Sequence, residues 1–219
     1  MHLDREIEIL KAKTLSLAAR VEESLRGSLK AVKERDGELA RKIIAGDSLI
    51  DRAEVMLEED CLKALALYQP VAVDLRFIVS IIKVNNELER IGDLATDIAE
   101  RAQFLAERDP VQLPPSLMTM SLKVQAMVKK SLDSLVNLDA DLAREVCAAD
   151  DEVDDLHGGM FRLLQDQMRA APESIEVLIP LLSISRYLER IADHSTNIAE
   201  DVIYSVEGRI VRHQPGAQV

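Results

Sequence analysis

The stretch "YLERIADHSTNIAE", Tyr187 to Glu200, carries two patterns at once. Ile191 and Ile198, with Ile184 before them and Val202 after, fall on one side of a helical wheel. Glu189 and Asp193 fall on the other, with Asn197 and Glu200 further along that side. Nearly the same phrase occurs earlier, as "ELERIGDLATDIAE" from Glu87 to Glu100.

Aligning Leu88–Glu100 with Leu188–Glu200 gives nine identities in thirteen positions. A second pair, "ELARKIIAGDSLID" (Glu38 to Asp51) and "DLAREVCAADDEVD" (Asp141 to Asp154), gives six in fourteen. The offset is 103 at the earlier match and 100 at the later one, so the second copy is three residues shorter between them. The chain is therefore an internal repeat. Its halves are expected at 1–108 and 116–219, joined by a helix-breaking linker at 109–115, "DPVQLPP".

Each half reads as three long helices. Apolar periodicity marks them at about 3–32, 38–67 and 71–106, then about 116–137, 139–169 and 173–207. No alternating period persists long enough for a sheet. Short turns make sequential helices antiparallel neighbours. The expected fold is all-α, a tandem of two three-helix bundles with six long helices.

Composition agrees and narrows the function. Of 219 residues, 47% are hydrophobic, which excludes a disordered chain. The net charge of -12 disfavours nucleic acid and favours cations or basic protein surfaces. No Gly-rich phosphate cradle is present, which speaks against nucleotide hydrolysis. The start "MHLDREIEIL" lacks the apolar run of a signal peptide, and "FIVSII" (Phe77 to Ile82) is too short to span a bilayer. Cys61 and Cys147 lie within helical patterns and read as buried free thiols of a reducing cytosol.

The acids carry the chemistry. With Glu89 at the origin of the wheel, Asp93 and Asp97 fall within about the next 80°. Leu88, Ile91, Ala95, Ile98 and Ala102 gather opposite. An acidic side facing away from an apolar one is usually a solvated surface, but such surfaces mix signs. Asp47 and Asp51 are also spaced i,i+4, as are Asp150 and Asp154. Folding the first hairpin about residue 69 sets Asp47 opposite 91 and Asp51 opposite 87, beside Glu89 and Asp93. Folding the second about Ala171 sets Asp150 opposite 192 and Asp154 opposite 188, beside Glu189 and Asp193. Two carboxylates 4 Å apart repel by about 4 kcal/mol at a surface-like dielectric. A cation between them would relieve this, and carboxylate clusters suit iron, manganese, magnesium, calcium or zinc.

The sequence resembles the PhoU family. The likeness rests on "QPVAVDLRFI" (Gln69 to Ile78), "NNELERIGDLATDIAE" (Asn85 to Glu100) and "RYLERIADHSTNIAEDVIY" (Arg186 to Tyr204), and covers nearly the whole chain. It implies tandem three-helix bundles with multinuclear metal clusters on the surface, iron first, with zinc, manganese or magnesium as other candidates. The family motif, Glu or Asp, three residues, then Asp, is met by Asp47/Asp51, Glu89/Asp93, Asp150/Asp154 and Glu189/Asp193. The later position, commonly Asn, is Asp97 in the first half and Asn197 in the second. The resemblance further implies a cytoplasmic, non-enzymatic negative regulator of the phosphate-starvation response. It would be a homodimer, peripheral to the inner membrane through the ATPase subunit of the phosphate ABC transporter and a sensor histidine kinase.

Other residues have plainer expectations. His194 reads as structural. His157, at i+3 from Asp154, is a candidate to reach the second cluster, and His2 and His213 sit near the termini. Arg90 and Arg190 are expected to pair with neighbouring acids, and Arg76 to form a helix-surface ion pair, with a contact to a partner as the alternative. A rival enzyme reading, a carboxylate-bridged di-iron oxidase, needs Glu-x-x-His on two helices. "DDLH" (Asp154 to His157) comes nearest, and occurs once. A metal-free helical scaffold is the third reading.

Overall fold

The computed structural model describes residues 2–209; His213 lies outside them, as does the side chain of His2. Six helices follow one another: α1 (His2–Glu34), α2 (Gly37–Tyr68), α3 (Ala72–Ala106), α4 (Pro115–Asn137), α5 (Ala140–Ala170) and α6 (Ile175–Glu207). A single 3-10 turn, Pro172–Ser174, leads into α6. No strand occurs among the described residues, and no helix there is long and apolar enough to cross a membrane.

The repeat extends to the turns. Asp36 caps α2 by accepting from the Leu39 amide at 2.9 Å, and Asp139 caps α5 by accepting from Asp141 and Leu142 at 3.0 Å each. The residue before each cap, Arg35 or Leu138, is left-handed, with φ 55 and 51. The same local chemistry thus reverses the chain at equivalent points.

The faces read from periodicity are the buried ones. Leu88, Ile91, Ala95 and Ile98 on α3 are fully enclosed, as are Ile184, Ile191, Ile198 and Val202 on α6. Each large aliphatic side chain so enclosed contributes about 1.5–3 kcal/mol. Within each half, three helices pack around this stripe.

The halves then share a seam, along which α3 and α6 run antiparallel. Ser80 Oγ donates to the Asp201 carbonyl at 3.3 Å, and Lys83 Nζ to Asp201 Oδ1 at 3.1 Å. Further along, Glu87 Oε2 meets His194 Nδ1 at 2.7 Å and accepts from Asn197 Nδ2 at 3.1 Å. Burial alone would raise the Glu87 carboxyl, but the bonds from His194 and Asn197, with the charges of His194 and Arg90, outweigh it and hold it below the ordinary value. His194 is therefore structural, as its position suggested. Arg90 pairs with Glu87 at 3.6 Å, as expected of it. Arg76 departs from expectation: its Nε is buried without a hydrogen-bond partner, and a Cβ added at Gly208, at the end of α6, would stand 3.8 Å from its Cζ.

Gly92 shows how the halves fit their volumes differently. A Cβ there would stand 3.1 Å from Ile50 Cγ2. The second half has Ala192 at the place of Gly92 and Val153 at the place of Ile50, so one methyl has moved across the interface. Overpacking costs about 1–3 kcal/mol, against about 1 kcal/mol gained when Ala replaces Gly in a helix. We expect Gly92→Ala combined with Ile50→Val to unfold at higher urea than Gly92→Ala alone. The reverse order would contradict this packing.

Candidate metal centres on two helix hairpins

The α2/α3 hairpin brings three of the expected acids together; among the described residues the acids of the α5/α6 hairpin interact through their charges but do not converge as closely. In the first, Asp47 and Asp51 of α2 and Asp93 of α3 each offer a carboxylate oxygen, all within 4.8 Å of one another. Asp47 is half-buried and the other two are exposed. Thr96 Oγ1 donates to Asp47 Oδ1 at 2.9 Å, five residues beyond position 91, where the register reading put Asp47. Nearer the turn, Asn85 Nδ2 donates to Glu54 Oε1 at 2.8 Å and to its carbonyl at 3.0 Å, one residue from the position that reading implies. The larger offset has a geometric cause: side chains tilt toward their own helix N-terminus, so antiparallel partners meet across a displacement.

The acids share their repulsion. Although Asp93 is exposed, partial loss of solvent around its carboxyl pushes it up, and Asp47, Asp51 and Asp97 push it further. Glu89 is raised by burial, then by Asp93, Glu54 and Asp51. Asp97, one turn beyond Asp93, is raised by burial and Glu100, while Arg101 and Arg190 oppose the shift.

In the second hairpin Asp150 carries the largest shift. Burial, then Asp193, Asp154 and Asp151, move its carboxyl up to about 6. Asp193 is raised by burial and Asp154. Glu189 is raised by burial, with Arg186 opposing and Asp193 and Asp154 adding. Arg186 donates to Glu189 Oε1 at 2.7 Å. Glu189 Oε2 is buried without a hydrogen-bond partner, while Asp150, whose Oδ1 is also enclosed, has the Thr196 hydroxyl beside it opposing the shift. Buried carboxylate oxygens normally have a partner. An all-carboxylate donor set is the kind that suits a hard or borderline metal.

The remaining residues sort clearly. Asn197 uses its amide N–H on Glu87 across the seam, which leaves only its carbonyl oxygen to offer a cation. Cys61 is fully buried and its thiol is pushed up to about 12 by burial. Cys147 is only partly enclosed rather than buried, and burial raises its thiol to about 11. Glu54 was not among the expected ligands, although it is half-buried and raised by burial, Glu58 and Asp51. Carrying the 103-residue offset three positions past Asp51 would have exposed it, as the counterpart of His157.

A pH dependence follows. The folded pKa of Asp150, about 6, lies above its ordinary 3.8. Its protonation therefore stabilises the fold fully below 3.8, and that contribution is lost as pH rises through about 6. Cation-free protein should melt at lower temperature at about pH 7 than at about pH 5, and Asp150→Asn should flatten that slope. Equal slopes in both proteins would refute this placement of Asp150.

Comparison with known proteins matches this fold. The profile of the PhoU domain fits the chain twice, over residues 14–102 and 117–202. A phosphate-specific transport system accessory protein PhoU homolog of Aquifex aeolicus is 41% identical over 214 residues, spanning 98% of this chain and 97% of its own length. The homolog from Caulobacter vibrioides is 36% identical, over 95% and 91% of the two chains. The crystal structure of PhoU from Pseudomonas aeruginosa superposes with a TM-score of 0.91 at 36% identity, covering 94% of this chain and 99% of that one. The phosphate transport system regulatory protein PhoU of Streptococcus pneumoniae superposes at 0.89, with 30% identity over 95% and 99%. Two copies of one helical unit, each presenting the same acid-lined hairpin, belong to a known line of descent: the chain is a member of the PhoU family.

Proposed function

We propose that the chain is a non-enzymatic regulator of phosphate uptake that works by protein contact, with cations held on its two acidic hairpins. The relatives' names, accessory and regulatory proteins of phosphate transport, support the first part. The second rests on one observation above all: three carboxylates of the first hairpin, Asp47, Asp51 and Asp93, each offer an oxygen within 4.8 Å of the others. Asp47, Asp51, Glu89 and Asp93 would hold the cation in the first half, with Asp97 as a further anionic ligand. Asp150, Asp154, Glu189 and Asp193 would hold it in the second, with Asn197 offering its carbonyl. A bound cation supplies positive charge that cancels their repulsion and fixes the hairpin surface. Iron leads the candidates, followed by zinc, manganese and magnesium.

In the finer reading, the partners are the ATPase subunit of the phosphate ABC transporter and a sensor histidine kinase, and the protein keeps the starvation response off when phosphate is plentiful. It acts as a homodimer in the cytoplasm and reaches the inner membrane only through those partners. With 39 acids against 27 basic residues, its surface complements basic partner faces.

The test combines content and function. Changing Asp47, Asp51, Glu89 and Asp93 to Asn or Ala should remove metal from the first half only, because Ile91, Ala95 and Ile98 stay packed. Circular dichroism should remain helical, and chelation should lower the melting temperature of the parent protein by linkage. Repression of the starvation response should fail in the variant. If the variant keeps its metal, the ligand assignment is wrong; if it loses metal yet still represses, regulation lies in other contacts.

A further inference from the structure

The two helix hairpins close with different turns. Both turns hold a proline, Pro70 and Pro172, and aligning these sets Arg169 and Glu173 where the first hairpin has Leu67 and Val71. Between Lys63 and Asp74 the chain carries no charged residue, in a sequence that is 30% charged. The α2/α3 turn nevertheless stands in solvent. Leu67 and Val71 are each 75% exposed, and Tyr68, Val73 and Leu75 beside them are exposed too. Within 66–73 only Pro70 is buried.

The backbone of the two turns differs as well. Gln69 at φ 45 and Ala72 at φ 50 are left-handed, and neither is glycine. Between Ala170 and Ile175 the α5/α6 turn has no such residue. The second half thus shows that this fold can close the same hairpin with charged side chains and a relaxed backbone. Exposed aliphatic surface on a strained turn is a feature of the first half alone, and both marks are those of a contact site.

The rim of the turn has one sign. Lys63 is neutralised by Glu59 at 3.2 Å and Asp60 at 3.7 Å, and Arg76 keeps its Nε buried. Glu58 on α2 and Asp74 on α3 form no ion pair among the described residues. An apolar knob with an acidic rim repels a second copy of a chain whose net charge is -12, and repels an anionic bilayer as well. It complements a concave apolar surface edged by basic side chains.

We propose that the α2/α3 turn is a docking knob: Leu67, Val71 and Val73 enter an apolar cleft on a partner protein whose rim carries lysine or arginine. The charged α5/α6 turn takes no part. This deepens the reading that the chain works by protein contact, and rests on it.

The test measures, by titration calorimetry, binding of the full-length chain to the two partners of that reading, the detergent-solubilised transporter and the detergent-solubilised kinase. Leu67→Arg combined with Val71→Glu gives the first turn the residues of the second and leaves net charge unchanged, so a loss of affinity reads the apolar surface. The double variant should melt like the parent and bind at least one partner about tenfold or more weakly. Val71→Glu alone should act in the same direction. Phe161→Glu, at an exposed place on the second hairpin, should leave affinity unchanged. Glu58→Gln with Asp74→Asn should slow association and flatten its salt dependence. Equal affinity of parent and double variant for every partner the parent binds would overturn the knob and leave the contact reading standing. A double variant that loses only self-association in sedimentation, or only flotation with phosphatidylglycerol vesicles, would assign the turn to a second copy or a lipid surface and overturn the knob too. Parent protein that binds neither partner would overturn both.

Discussion

The apolar stripe of α3 and its copy on α6 constrain the rest of the molecule. Leu88, Ile91, Ala95 and Ile98 are fully enclosed, and so are Ile191 and Ile198. A helix has one orientation that encloses such a stripe, and that orientation turns Glu89 and Asp93, or Glu189 and Asp193, toward the neighbouring helix of the hairpin. There Asp47 and Asp51, or Asp150 and Asp154, face them for the same reason. Hydrophobic burial of several kilocalories thus imposes a repulsion that the carboxylates would otherwise relieve by separating. Burial first, and then this repulsion, raises the carboxyls of Glu89, Asp93, Asp150 and Glu189.

The same two helices also form the seam between halves. Glu87, the shared acceptor of His194 and Asn197, lies two residues before Glu89, and His194 follows Asp193 directly. Each acidic group therefore sits on a helix that the opposite half holds by buried polar bonds. Such a pair specifies one mutual placement of the halves, because displacing either partner would leave the other buried and unpaired. The repeat is nonetheless not a copy. Gly92 with Ile50 becomes Ala192 with Val153, Glu54 becomes His157, and Arg186 bonds Glu189 where the first half has Asn86.

Much of this was legible in the sequence, for a physical reason. Helical period and repeated caps are local signals, so the six helices and their buried faces follow from spacing alone. The hairpin register is nearly local, since a short turn fixes it, and the acid pairs were legible for that reason. The seam was not. Nothing in "DHSTN" says that Asn197 will bond Glu87 of the other half, because that contact depends on how the two bundles pack. Arg76 was misread for the same reason: its environment is the end of α6, far along the chain. Glu54 is a simpler case: its repeat counterpart is His157, so no second carboxylate marks the position.

Elemental analysis of the chain, purified without chelators or a metal-affinity column, tests the central claim most directly. If stacked carboxylates persist because cations bind among them, the protein should carry metal in amounts sufficient for both halves, and a chelator should remove it and lower the melting temperature. Protein free of metal, with a melting temperature that neither added cations nor chelators change, would contradict the account. The acids would then be a solvated face held together by the apolar stripe alone.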